Sequence, residues 1–324
     1  MLPTLGDLLD TARVVALPLR TRFRGIMVRE ALILEGPNGF TEFSPFTEYP
    51  DDEAVAWLAT AIDFGWAPTP PLLRDTVGVN ATMPAVAPSE VAAILARYPG
   101  CRTVKIKVAE RGQELADDVA RVAATRDYLG AAGRIRIDAN AGWNVDEAEH
   151  AVHALARYDL EYVEQPCATV EELSELRERI GYMDIPVAAD ESVRKAEDPL
   201  AVARAGAADL LVIKAQPLGG IAAALRIVAQ AGLPAVVSSA LDTSIGISMG
   251  LHLAGTLPEL AYDCGLGTAA LLAADVVEAP LVPLEGRLAV QRVKPSERLL
   301  ALNAATPERT QWWFERLERC YRLL

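Results

Sequence analysis

Acidic and basic residues recur at an even interval along the middle of this chain. Asp138, Glu164 and Asp190 are each 26 residues apart, and Lys214 follows 24 residues later. Each closes a short run: Arg136-Ile137-Asp138, Tyr162-Val163-Glu164, Val187-Ala188-Ala189-Asp190 and Leu211-Val212-Ile213-Lys214. A fifth run, Val104-Lys105-Ile106-Lys107-Val108, carries two lysines. If these runs are neighbouring strands, about 4.8 Å apart, their terminal carboxylates converge on one hard cation. Oxygen donors without His or Cys suit Mg²⁺ rather than zinc or copper, with Mn²⁺ as a substitute. Taken singly, each carboxylate reads equally as a cap for the following helix. Three in succession, flanked by lysines, point to a shared site. Glu191 follows Asp190 directly, so spacing alone leaves both as ligands.

Lys105 and Lys107 are two residues apart and share one face of their strand, while Val104, Ile106 and Val108 take the other. In a parallel sheet covered by helices, the lysine face points inward. Two adjacent ammonium groups near a metal disfavour protonation, which brings a lysine towards the range of a base. Lys214 lies across from them; alone, it reads as a salt bridge to a rim carboxylate. The only histidines, His150, His153 and His252, fall on helical stretches, so a histidine base is not expected. A serine nucleophile at Ser238 or Ser239 lacks its relay for the same reason. Gly219-Gly220 is a weak phosphate-site signal.

The elements that position these groups are apolar strands alternating with helical stretches, the mark of βα units. Strands are expected at 77–81, 103–108, 134–138, 161–164, 187–190, 209–214, 235–239 and near 260–263. Eight units predict a closed (β/α)8-type barrel, in the modified (β/α)7β form, with its active site at the C-terminal rim of the strands. An open doubly wound sheet lacks its GxGxxG signature here. Residues 1–76 break the rhythm: strands at 13–19, 28–34 and 41–43 and a helix over 53–64 predict an α+β capping domain. The barrel is then 77–284. Residues 285–324 form helices at 297–302 and 310–324, whose anchors Trp312, Trp313, Phe314, Leu317 and Tyr321 are expected to pack back on the cap.

At 324 residues the chain can bury a large core. A net charge of −13 with no basic stripe argues against nucleic-acid or membrane-surface partners. Cys101, Cys167, Cys264 and Cys320 form no CxxC pair and read as reduced thiols, which favours the cytoplasm. No signal peptide is expected from Met1-Leu2-Pro3-Thr4, and 245–257 is too short to span a bilayer. Nothing in the sequence sets the oligomeric state; a monomer is compatible with it.

Lys105-x-Lys107, Asp138-Ala139-Asn140, Val163-Glu164-Gln165-Pro166, Ala189-Asp190-Glu191-Ser192 and Ile213-Lys214 with Pro217-Leu218-Gly219-Gly220 resemble the enolase superfamily, in its muconate-lactonising-type subgroup. Phe23-Arg24-Gly25, Glu42-Phe43-Ser44-Pro45-Phe46, Val79-Asn80-Ala81-Thr82, Ser238-Ser239-Ala240 and Gly265-Leu266-Gly267-Thr268 are most similar to the o-succinylbenzoate synthase family within it. The resemblance implies Mg²⁺ held by Asp138, Glu164 and Asp190, and a small-molecule carboxylate substrate. It implies syn-dehydration of 2-succinyl-6-hydroxy-2,4-cyclohexadiene-1-carboxylate to 2-succinylbenzoate for menaquinone synthesis, through a metal-stabilised enediolate. Lys107 would be the acid/base, Lys105 its tuning neighbour and Lys214 an electrostatic stabiliser. Phe23, Arg24, Asn140, Ser238, Ser239 and Gly267 would contact substrate, beneath a lid formed by 23–25 and 43–46. The alternatives are N-acylamino acid racemisation, dipeptide epimerisation and, more remotely, a Schiff-base aldolase using Lys214. Epimerases of the superfamily carry Asp-x-Asp at strand 8, where this chain reads Asp263-Cys264-Gly265.

Overall fold

The computed structural model describes residues 2–195 and 198–324. It begins with a short helix, α1 (Leu5–Thr11), started by a capping box between Thr4 and Asp7. An antiparallel sheet follows, β1 (Arg13–Phe23), β2 (Ile26–Gly36) and β3 (Gly39–Phe43), in that order. The helix α2 (Asp51–Trp66) places Asp51, Asp52 and Glu53 in its first turn, where the helix dipole favours negative charge. It buries Trp57, Leu58 and Ala61 in a core shared with the sheet.

The strands β4 (Thr76–Gly78), β5 (Ala81–Met83), β6 (Thr103–Lys107), β7 (Arg134–Asp138), β8 (Leu160–Glu164), β9 (Val187–Ala189), β10 (Leu210–Ile213) and β11 (Ala235–Val237) follow. β5 to β11 form one parallel sheet in sequence order. Two single bridges curl it closed: Gly265 pairs with Ser238 after β11, and Cys264 pairs with Val79 before β5. The eighth place is thus taken by residues 264–265, in keeping with the expected (β/α)7β barrel. It lies just beyond the stretch anticipated near 260–263. The first barrel strand is also displaced, from 77–81 to 81–83. β4 instead pairs antiparallel with β12 (Arg287–Ala289). The apolar alternation runs unbroken from Val77 to Met83, so only the change of partner marks the break.

The covering helices are α3 (Val91–Leu95), α4 (Leu115–Leu129), α5 (Val145–Leu155), α6 (Val170–Ile180), α7 (Glu191–Arg194), α8 (Ala201–Arg204), α9 (Ile221–Ala231) and α10 (Ser244–Thr256). α7 and α8 hold only four residues each. α11 (Glu297–Leu302) and α12 (Pro307–Tyr321) complete the chain, and α12 lies against α2 and β1. Trp313 is fully buried there and donates its indole N–H to Glu30 at 2.8 Å. Arg316 donates to the carbonyls of Phe46 and Tyr49, which fastens the loop that reaches over the barrel mouth. Among the described residues no helix is long and apolar enough to cross a membrane, and all four cysteines are free thiols.

Period-two alternation sorts the barrel side chains. Val104, Ile106, Ile135, Ile137, Val163, Val187, Leu211 and Ile213 face the helices. Tyr162, Ala188, Leu210, Val212 and Val236 fill the interior as a separate small cluster. Arg136 lies among them, fully buried, held by Glu161, the Asn80 side chain and the Asp263 carbonyl, and 4.8 Å from the Tyr162 ring. This floor leaves the charged residues one layer up, at the mouth.

Candidate active site

Register brings the charges together. Lys107, Asp138 and Glu164 are lateral neighbours across β6, β7 and β8. Lys105 donates to both Glu164 oxygens at 2.7 and 2.9 Å and lies 3.2 Å from Asp138. Lys107 donates to Asp138 at 2.6 Å and to the Asn140 side-chain oxygen at 2.5 Å. Across the barrel, Lys214 donates to Asp190 at 2.5 Å. Both strand-6 lysines therefore face inward, and Lys214 makes the ion pair that it also suggested on its own.

Capping does not account for the carboxylates. α5 is capped by Asn144, α6 by Thr169, and α7 has no side-chain cap although Asp190 stands at its start. Asp138 instead accepts from the Asn140 amide at 3.1 Å, in a turn where Asn140 and Ala141 have φ of 46° and 62°. Gln165 accepts from the amides of Asp190 and Ser192 and so orients the Asp190 backbone.

Burial raises every carboxyl here, and the cations decide the outcome. For Asp138, the charges of Lys107 and Lys105 outweigh burial and hold it well below the usual range. Asp190 is lowered likewise, by Arg194 and Lys214 against burial. Glu164 goes the other way, pushed up to about 7 by burial and the like charge of Asp138, with Lys105 only partly offsetting them. Two carboxylates sharing one ammonium separate in this way. Burial pulls Lys105 down, but Glu164 and Asp138 prevail and raise it well above normal. The lowering expected of strand-6 lysines is thus reversed at Lys105 by its carboxylates. Lys214 is lowered by burial, which Asp190 offsets only in part.

A cavity opens above these groups, lined by Lys105, Lys107, Asp138, Asn140, Lys214, Ser238 and Ser239 from the barrel. Phe23, Arg24, Phe46, Tyr49 and Trp57 close it from the cap. Glu164 and Asp190 are fully buried, bonded to Lys105 and Lys214 respectively. Gly267 does not line the cavity: it abuts the Asn80 carbonyl and the Tyr98 ring, while Gly265 and Thr268 take the place expected for it. The Gly219-Gly220 turn faces Asp63 of α2, so a carboxylate already occupies the start of α9. No histidine lines the cavity.

Among the described residues, no three His, Cys, Asp or Glu side chains stand as a ready metal cage. The chemistry of the donors nonetheless fits a hard divalent cation. Asp138, Glu164 and Asp190 offer only oxygen, and the Glu191 Oε2 atom is buried without a partner beside them. Four carboxylates (with Glu191) face four cations, Lys105, Lys107, Lys214 and Arg194. A divalent cation entering with a dianionic substrate preserves that balance.

Residues 14–65 match the Enolase N-terminal domain-like family and residues 89–295 the Enolase C-terminal domain-like family. The o-succinylbenzoate synthase of Mycobacterium ulcerans (strain Agy99) is 55% identical over 322 residues, covering 99% of this chain and 96% of that one. That of Mycobacterium tuberculosis (strain ATCC 25618 / H37Rv) is 54% identical over 325 residues, covering 100% and 98%. The chain belongs to the o-succinylbenzoate synthase family. It is a carbon–oxygen lyase of the enolase superfamily. Solved structures bear out the fold. The muconate lactonizing enzyme of Pseudomonas putida superposes with TM-score 0.74 at 20% identity, over 91% of this chain and 98% of that one. The L-Ala-D/L-Glu epimerase of Bacillus subtilis gives 0.74 at 23%, over 88% and 96%.

Against this family background, several lining residues had escaped the sequence reading. Arg194 bonds Asp190 at 3.1 Å and Glu191 at 2.6 Å, and donates to the Tyr49 hydroxyl at 3.3 Å. Arg24 donates to the same hydroxyl at 3.1 Å and lies over the Phe46 ring. An arginine four residues after a ligand candidate is a usable signal on a helix, but α7 is too short to announce itself. Tyr49 and Trp57 come from the cap and carry no local mark.

Proposed function

We propose that this chain catalyses the Mg²⁺-dependent syn-dehydration of 2-succinyl-6-hydroxy-2,4-cyclohexadiene-1-carboxylate to 2-succinylbenzoate, a step of menaquinone synthesis. The observation that carries the reading is the end-to-end identity of 54–55% to proteins named for that product. Asp138, Glu164 and Asp190 would hold the cation, which when bound stabilises negative charge developing on the substrate carboxylate. Lys107, at the cavity wall between Asp138 and Asn140, takes the proton α to the carboxylate. The electron pair left on carbon expels the ring hydroxyl, to which Lys107 returns the same proton. Water leaves, and the ring becomes aromatic. Lys105 keeps Glu164 and Asp138 paired, and Lys214 faces the developing charge from across the barrel. Phe23, Arg24, Ser238 and Ser239 enclose the substrate and exclude water, which strengthens each of these electrostatic terms.

One observation favours a second reaction. Lys107 and Lys214 stand four strands apart in an eight-place barrel and line one cavity. Two lysines on opposite faces of a carbon acid suit racemisation of an N-acylamino acid. Dipeptide epimerisation is less well supported. The Asp263 carboxylate turns to Thr103 and Arg134 at the start of β6 and β7, and a Cβ at Gly265 would collide with the Ser238 hydroxyl. The test is purified protein with the cyclohexadiene substrate and Mg²⁺, run beside an N-succinylamino acid. Aromatic product that forms with Mg²⁺ and stops with EDTA is expected. Racemisation without dehydration would overturn the reading.

A further inference from the structure

A heavily buried ionisable cluster outside the lysine–carboxylate ring lies where cap meets barrel. Glu42 on β3, Arg29 on β2 and Asp242 after β11 are at most 4% exposed. Glu42 accepts from the Thr243 hydroxyl at 2.5 Å and amide at 3.2 Å, and from the Gly246 amide at 3.0 Å. Its other oxygen accepts from the Ser44 hydroxyl at 2.5 Å. Thr243 is the N-cap of α10, so the cap domain supplies the acidic partner that a helix usually finds three residues along its own chain. Gly246 permits this approach, because a Cβ there would meet the Glu42 carboxylate and the Asp242 side chain.

Arg29 grips the preceding turn. It donates to the Leu241 carbonyl at 3.1 Å, the Ala240 carbonyl at 3.3 Å and the Ser44 hydroxyl at 3.1 Å, and its guanidinium lies 4.3 Å from the Phe46 ring. Leu241 has φ of 64°, a conformation that costs a branched side chain energy and persists only where the surroundings hold it. Ser238, Ser239, Ala240 and Leu241 line the reaction cavity from the barrel, and Phe46 lines it from the cap. Arg29 therefore touches both linings, while Glu42 holds Thr243 and Ser44, each two residues along the chain from one of them.

We propose that Glu42 and Arg29 are positioning residues that set the cavity wall 238–241 against the cap, and so fix substrate affinity without touching substrate. The proposal rests on the dehydration reading above. Its test is steady-state kinetics with the cyclohexadiene substrate, alongside calorimetric binding of 2-succinylbenzoate. Glu42→Ala and Arg29→Met are each expected to raise KM and weaken product binding about tenfold, with kcat changed by no more than about threefold. Glu42→Gln, which still accepts from Thr243 and Gly246, should recover most of the loss. If Glu42→Ala does not fold, Thr243→Val and Ser44→Ala each remove one hydroxyl bond to Glu42, together with the bond that hydroxyl accepts from the Ile245 amide or from Arg29, and should raise KM about two- to fivefold. Leu8→Ala, in the cap core away from the cavity, lowers stability and should leave KM unchanged. An unchanged KM in the folded Glu42, Thr243 and Ser44 variants, or an equal rise in Leu8→Ala, overturns the proposal. Absence of wild-type turnover counts instead against the reading of the reaction.

Discussion

Replacing Glu42 with glutamine probes the cap–barrel junction through the pH dependence of stability. Burial and the like charge of Asp242 lift the Glu42 carboxyl from an ordinary 4.5 to about 7, against the Ser44 and Thr243 hydroxyls and the Arg29 charge. Asp242 is raised as well, by burial first, with Arg29 and the more distant Lys214 opposing. Arg24 and Glu48 complete the charges that act on Arg29. In the unfolded chain Glu42 gives up its proton near 4.5, in the folded protein only near 7. Its contribution to stability is complete below the lower value and is lost as pH rises through the upper one. The whole interval corresponds to about 3 kcal/mol, most of which lies between pH 5 and 8. Glutamine at this position does not titrate. Urea unfolding at both pH values, followed by the fluorescence of the buried Trp57 and Trp313, measures the difference. Wild type should lose about 2–3 kcal/mol relative to Glu42→Gln on going from pH 5 to pH 8. A difference constant to within about 0.5 kcal/mol, or one that grows with pH, would refute the reasoning. The donors around Glu42 would then outweigh its burial.

Three further outcomes are expected. Lys107→Ala should cut dehydration by about a thousandfold with circular dichroism unchanged, and retained turnover would remove Lys107 from the chemistry. Asp138→Ala should abolish Mg²⁺ binding in isothermal titration, whereas wild type binds; equal heats would take Asp138 out of the cation site. Lys105→Met leaves Glu164 and Asp138 buried side by side without the shared ammonium and should cost about 3–5 kcal/mol in urea unfolding at pH 8. A loss below about 1 kcal/mol would show that Lys107 and solvent compensate.

Much of the site was legible because strand periodicity is local. A spacing of two puts Lys105 and Lys107 on one face, and the even interval between strand ends places Asp138 beside Glu164. The capping box at Thr169 and Glu172 and the positive-φ glycine stop at Gly130 are local signals too, and α6 and α4 follow them. Short elements were harder to read. α7 and α8 hold four residues each, fewer than a helical pattern needs, and the eighth barrel place is only the two bridges at Cys264 and Gly265. Gly267 resembled a pocket residue by neighbourhood, yet the 3₁₀ turn over 267–271 aims Thr268 at the cavity instead.

The chain taken alone determined which strands exist, which faces they bury and which charges stand at their ends, since each follows from residues a few positions apart. Only the folded molecule decided how those charges are shared: Lys105 between two carboxylates, Arg194 on Asp190, Glu42 on a helix start 201 residues away. Whether a buried charge is held, raised or lowered depends on what surrounds it in space. Those neighbours come from both domains and from elements far apart along the backbone.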